Sequence, residues 1–129
     1  MAGDMPLLAI VDDDADVRIA LVRLVSSAGC AVDSFATGAE FLMSIEHRVP
    51  DCVVLDLHMP GMSGFEVQSA LARANPGLPV VVITGHETVE SRNRALALGA
   101  RAYLAKPVDH DALLAAIEDA TRHRPGARA

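Results

Sequence analysis

A chain of 129 residues reads as one domain, long enough to bury a core of its own and too short for a second. Hydrophobic residues make up 51% of it but aromatic ones only 3%, so the core must be built from Ala, Val, Leu and Ile rather than from rings. Seventeen acids against 11 bases give a net charge of −6, which argues against direct nucleic-acid binding and points to proteins or cations as partners.

Short apolar runs alternate with longer stretches of helical period. Leu7-Leu8-Ala9-Ile10-Val11 is the first run, and it ends in acid at Asp12. Val17, Ala20, Leu21, Leu24, Val25 and Ala28 then recur at the spacing of one helix face, and Gly29 is placed to end that helix at positive φ. Residues 31–35 predict a weaker second strand, and 37–47 a short helix with Phe41, Leu42 and Ile45 inward. Cys52-Val53-Val54-Leu55 is the third run and again ends in acid, at Asp56. The loop His58-Met59-Pro60-Gly61-Met62-Ser63-Gly64 follows. It leads, with Ser63 as the expected N-cap, into a helix carrying Val67, Ala70, Leu71 and Ala74. Pro79-Val80-Val81-Val82-Ile83 is the most β-branched run and ends at Thr84. A polar helix over about 87–98 stops at Gly99, and residues 101–105 make a last strand just before Lys106-Pro107. A final helix over about 110–122 turns Leu113, Leu114, Ile117 and Ala120 inward; residues 123–129 read as a frayed tail or the start of a linker.

Continuous apolar strands need burial on both faces, which helices on both sides of a parallel sheet provide. With right-handed crossovers, five such strands alternating with five helices predict an α/β fold. The expected sheet is doubly wound, five-stranded and parallel, of order 2-1-3-4-5, the flavodoxin-like (βα)5 arrangement. No run approaches the roughly 20 apolar residues of a membrane span. The opening MAGDMPLL has no basic segment ahead of an apolar one, so no signal peptide is expected. Cys30 and Cys52, the only cysteines, read as small buried thiols in a reducing cytoplasm.

In such a sheet ligands bind outside the carboxyl ends of the strands. Asp12, Asp13 and Asp14, then Asp56, Thr84 and Lys106, sit there. Crowded carboxylates repel unless a hard divalent cation stands among them, and Mg²⁺ suits them. Lys106 adds a positive charge and Thr84 a hydroxyl. A carboxylate, a metal, an ammonium and a hydroxyl make a phosphoryl-transfer site, with Asp56 as the nucleophile that becomes an acyl phosphate.

Five pieces carry a specific resemblance: Asp12-Asp13 after an apolar strand; Asp56-Leu57-His58-Met59-Pro60-Gly61-Met62-Ser63-Gly64; Ile83-Thr84-Gly85; Gly99-Ala100; and Tyr103-Leu104-Ala105-Lys106-Pro107. In these, over about residues 6–122, the sequence resembles the receiver domain of two-component response regulators. The resemblance implies that Asp56 is the phosphoacceptor. Asp12, Asp13 and Asp56 would hold Mg²⁺, one of the pair 12 and 13 through water, with the backbone carbonyl of His58. Lys106 would bind the phosphoryl group, Thr84 would swing toward it, and Tyr103 would turn inward as Thr84 moves. The Lys106-Pro107 bond is expected to be cis. The implied partner is a sensor histidine kinase or a phosphotransfer protein. An output domain or effector would dock on the face of the fourth helix, fifth strand and fifth helix, within residues 85–122. The domain would work in the cytoplasm and would not itself be an enzyme.

Simpler readings stand beside these. Asp14 and Asp16 suit the first turn of a helix, although a pair Asp13 and Asp14 would also serve a metal. Thr84 could cap the next helix, and Tyr103 could be an ordinary core residue. His58 and His86, two residues after Asp56 and Thr84, either flank the phosphoryl group or are plain surface residues. Met59 and Met62 suit loop packing; His47, His110 and His123 suit solvent. Val89 is the one large apolar residue of the fourth helix before Leu96, so that helix should be loosely held and free to move. Three other functions compete. A phosphatase of the haloacid dehalogenase type needs an acid where His58 stands. A flavin domain would not place the acidic VDDDAD against a phosphate. A receiver that has lost phosphorylation would not need its five site residues intact.

Overall fold

The computed structural model describes residues 5–122; the tail expected at 123–129, His123 included, lies outside them. Five strands alternate with five helices. The strands are β1 (Leu7–Val11), β2 (Ala31–Phe35), β3 (Cys52–Asp56), β4 (Val80–Thr84) and β5 (Ala102–Ala105). The helices are α1 (Ala15–Ser27), α2 (Gly38–Ser44), α3 (Gly64–Ala74), α4 (Val89–Ala97) and α5 (His110–Arg122). Every pairing is parallel and the order is β2-β1-β3-β4-β5, as the alternation of runs predicts. β1, β3 and β4 are buried along their whole length, while the edge strands β2 and β5 are half-buried at most positions. Successive side chains point to opposite faces. Leu8, Ile10, Val54, Val81 and Ile83 pack with α1 and α5; Ala9, Val11, Val53, Leu55 and Val82 pack with α2, α3 and α4.

The helix ends follow their caps. Asp14 caps α1, its Oδ1 accepting from the Asp16 and Val17 N–H groups at 2.9 and 3.2 Å. Gly29, at φ 96°, ends it. The inward face of α1 is narrower than the periodicity predicts: Leu21 and Val25 are buried, but Ala20 and Ala28 are exposed. Alanine is apolar yet costs little on either face, so it marks a helix without marking a side. α2 spans 38–44 rather than 37–47: Thr37 is its N-cap, accepting from Glu40 N–H at 3.1 Å, and residues 45–47 form a turn beyond it. Ser63 does cap α3, in a reciprocal pair with Glu66. Within α3, Ala74 is exposed, while Phe65 and Gln68 are buried beside Val67 and Leu71. In α5, Leu113, Ile117 and Ala120 are buried and Leu114 only half so.

α4 spans 89–97 rather than 87–98, because Thr88 and not Thr84 caps it, accepting from Ser91 N–H at 3.0 Å. Ala95 is its one buried residue, and Val89 is 74% exposed. The helix is tied down near its far end. Gln68 Nε2 donates to the Ala95 carbonyl at 2.9 Å, and the same oxygen accepts from Ala100 N–H at 3.0 Å beyond Gly99. The Arg94 guanidinium lies 4.2 Å above the Phe65 ring.

Both cysteines are free thiols, but Cys30 is half-buried rather than buried. Burial pushes the Cys52 thiol up to about 12. Among the described residues no helix is long and apolar enough to cross a membrane.

Candidate functional site

The strand order sets the carboxyl ends of β1, β3 and β4 side by side. Asp12 follows β1, Asp56 ends β3, Thr84 ends β4, and Lys106 follows β5. Asp12 is 0% and Asp56 3% exposed, whereas Asp13 stands out in solvent. Oxygens of Asp12, Asp13 and Asp56 lie within 4.8 Å of one another. Asp14 is not in that group, because its carboxylate is committed to the cap of α1.

Asp12 is held at every polar atom. Its N–H donates to the Phe35 carbonyl at 3.1 Å, and its carbonyl accepts from Arg18 Nη1 at 2.6 Å. Oδ1 accepts from Asp14 N–H at 2.9 Å, and Oδ2 forms an ion pair with Lys106 Nζ at 2.9 Å. No aligned hydrogen-bond donor reaches that buried Oδ2. Lys106 stands farther from Asp56, at 3.5 Å. Burial, and after it the charge of Asp12, raises the Asp56 carboxyl to about 6, against the opposing pull of Lys106 and the His58 N–H. For Lys106 burial works against the charged form, but the bonds and charges of Asp12 and Asp56 outweigh it and hold the ammonium above its usual range. An all-oxygen group of three acids, two of them buried, fits a hard divalent cation.

Thr84 is buried, and its Oγ1 accepts from His86 N–H at 3.1 Å instead of capping α4. Tyr103 packs on the core beneath α2, α3 and α4, and its hydroxyl is already shielded from solvent. Burial also raises this phenol. The Lys106-Pro107 peptide is cis. The model of the response regulator receiver domain family matches residues 8–118. The chain belongs to this family.

The receiver domain is 38% identical over 120 residues to nodulation protein W of Bradyrhizobium diazoefficiens, which covers 93% of this chain and 53% of that protein. It is 36% identical over 114 residues to the DNA-binding transcriptional regulator NtrC of Escherichia coli, covering 88% of this chain and 24% of that one. The chain thus spans about half or less of these relatives. A solved CheY-like receiver from Methanospirillum hungatei superposes with a TM-score of 0.87 at 29% identity, over 92% of this chain and 94% of the other. Receiver domains are regulatory and partner with histidine kinases.

His58 and His86 are exposed, and their rings meet edge to face with centroids 5.8 Å apart. The His58 ring also approaches Phe65, at 6.5 Å. His47 and His110 are exposed; Met59 is buried and Met62 half-buried, as loop packing requires. Two contributors to the receiver's site escape sequence reasoning, and a third enters it only as the end of a loop motif. Arg18, on a helix face that reads as solvated, turns back onto Asp12. Phe65 joins His58 to Arg94. Gly64 lies where a Cβ would sit 2.5 Å from the Asp56 carbonyl oxygen and 2.7 Å from Leu57 Cα. Only the last carries a signal in sequence, as the glycine that closes the loop after Asp56.

Proposed function

We propose that this receiver domain accepts a phosphoryl group on Asp56 from a sensor histidine kinase or a phosphotransfer protein. The observation that carries the reading is the buried meeting of Asp56 with Asp12 under the Lys106 ammonium, Asp13 closing the group. Asp12, Asp13, Asp56 and the His58 backbone carbonyl would hold Mg²⁺. Asp12 is the ligand suited to act through water, since Asp14 N–H and Lys106 already engage its two oxygens. When bound, Mg²⁺ neutralises charge on the phosphoryl oxygens and on the crowded carboxylates.

An Asp56 carboxylate oxygen bonds to phosphorus as the bond from phosphorus to the donor nitrogen breaks, and that nitrogen keeps the electron pair. Little covalent work falls to other residues, so positioning and charge dominate. Lys106 is within reach of both carboxylates and transfers its charge from Asp12 toward the incoming oxygens. Thr84 has a proton to donate, because its hydroxyl at present only accepts. Its movement, with Tyr103 beneath α4, would bias the α4-β5-α5 face toward an output domain or effector. A DNA-binding or other output would belong to further sequence of the kind the relatives carry. The same reading makes the domain a cytoplasmic switch rather than an enzyme. A dehalogenase-type phosphatase is disfavoured by His58, which occupies the place of the needed acid.

With Mg²⁺ and a small-molecule phosphodonor such as acetyl phosphate, the protein should gain one phosphoryl group by mass, and Asp56→Asn should gain none. Full labelling of Asp56→Asn would move the acceptor elsewhere.

A further inference from the structure

We infer that Arg18 is a positioning residue for the metal-binding acids: its grip on the Asp12 carbonyl sets where the Asp13 carboxylate stands, and through it the affinity for Mg²⁺. This rests on reading Asp12, Asp13 and Asp56 as the metal ligands. Arg18 lies in the first part of α1 and reaches back to the Asp12 carbonyl at 2.6 Å. Among the described residues it pairs with no carboxylate, although several acids stand close by in sequence. Its charge is directed at one peptide.

That peptide joins Asp12 to Asp13. A peptide is planar, so fixing its carbonyl fixes the nitrogen and Cα of the next residue. Asp13 is exposed, and the side chain its carboxylate meets is the Asp56 carboxyl, itself one of the acids of the group, so its placement falls to its own backbone. On its far side the chain is anchored by Asp14 N–H on Asp12 Oδ1, and by Asp14 capping α1. Asp13 therefore stands against Asp56 on a backbone clamped at both ends, and Arg18 is one of the two clamps. Residues that orient ligands from behind in this way strongly affect affinity.

Two roles of Arg18 predict opposite signs. A guanidinium near a cation repels it, so a role through charge alone means that removing Arg18 tightens Mg²⁺ binding. A role through positioning means that removing it weakens binding. The test is an Mg²⁺ titration of the full chain at constant ionic strength, read from the amide NMR shifts of residues 13, 14 and 56. Thermal melts in EDTA check that each variant folds. Arg18→Met should bind about ten-fold more weakly. Arg18→Lys, which keeps a donor, should fall between the two. In an Asp13→Asn background, Arg18→Met should change the affinity less than about two-fold, because the group it positions is no longer a charged ligand. Unchanged or tighter binding by Arg18→Met overturns the inference, as does an undiminished loss in the Asp13→Asn background. If Arg18→Met does not fold, Arg18→Lys carries the same test, and wild-type affinity in it overturns the inference. Wild-type protein that shows no Mg²⁺ shifts at all would instead remove the metal reading itself.

Discussion

Without metal at neutral pH, Asp56 holds its charge against both burial and Asp12. Its carboxyl titrates at about 6 in the fold against an ordinary 3.8, so between those values the folded chain binds more protons than the unfolded one. The group's contribution to stability is thus greatest at low pH and is lost as the pH rises from about 4 to about 6. In EDTA, Asp56→Asn should exceed wild type by about 1 kcal/mol at pH 7.5. Thermal melts should show that gap closing toward about pH 4; a gap of constant size would mean that the titration lies elsewhere. Gly64 gives a second test at single-residue scale. Gly64→Ala drives a methyl into the backbone of Asp56 and Leu57 and should cost about 1–3 kcal/mol in urea unfolding. Gly85→Ala, whose nearest neighbour is the flexible Lys106 side chain at 3.7 Å, should cost much less. His86→Ala should alter the lifetime of the acyl phosphate while leaving Mg²⁺ affinity alone, since its ring sits beside that of His58. An unaltered lifetime would return both rings to ordinary surface.

Among the elements, α4 is held unevenly. Its first turns bury almost nothing, while Ala95 is fastened to Gln68 and to the turn beyond Gly99. Hydrogen exchange should therefore be fast at 89–93 and slower at 95–100. Beryllofluoride binding should produce its largest change over residues 85–105. Equal protection along α4 and α1, unchanged by the ligand, would rule out α4 as the moving part. Gln68→Leu removes one donor from a carbonyl that keeps Ala100 N–H, so it should cost only about 1 kcal/mol. Its effect should be local, raising exchange at 95–100 toward that of the first turns.

For the molecule as a whole, what could be read in advance follows from what each signal measures. Runs such as 52–56 and 80–84 are apolar on both faces because helices cover both, so strand order and the polar residues closing each run were legible. Thr84, Lys106 and the acids came with them. Helix ends were less so, because Thr84 and Thr88 are alike as letters and only the backbone decides which one caps. Arg18 and Gln68 were not legible at all. A long polar side chain reads as solvated until the fold shows which carbonyl it reaches. The uneven fastening of α4 makes it a lever. From Ala95 to Val89 is roughly 9 Å of helix, so a tilt of about 15° about the fastened end carries Val89 some 2 Å while Ala97 shifts by less than 1 Å. Mechanical advantage of that kind lets a short stroke beside Thr84 redraw one end of a surface and leave the other end as a fixed reference for whatever grips it.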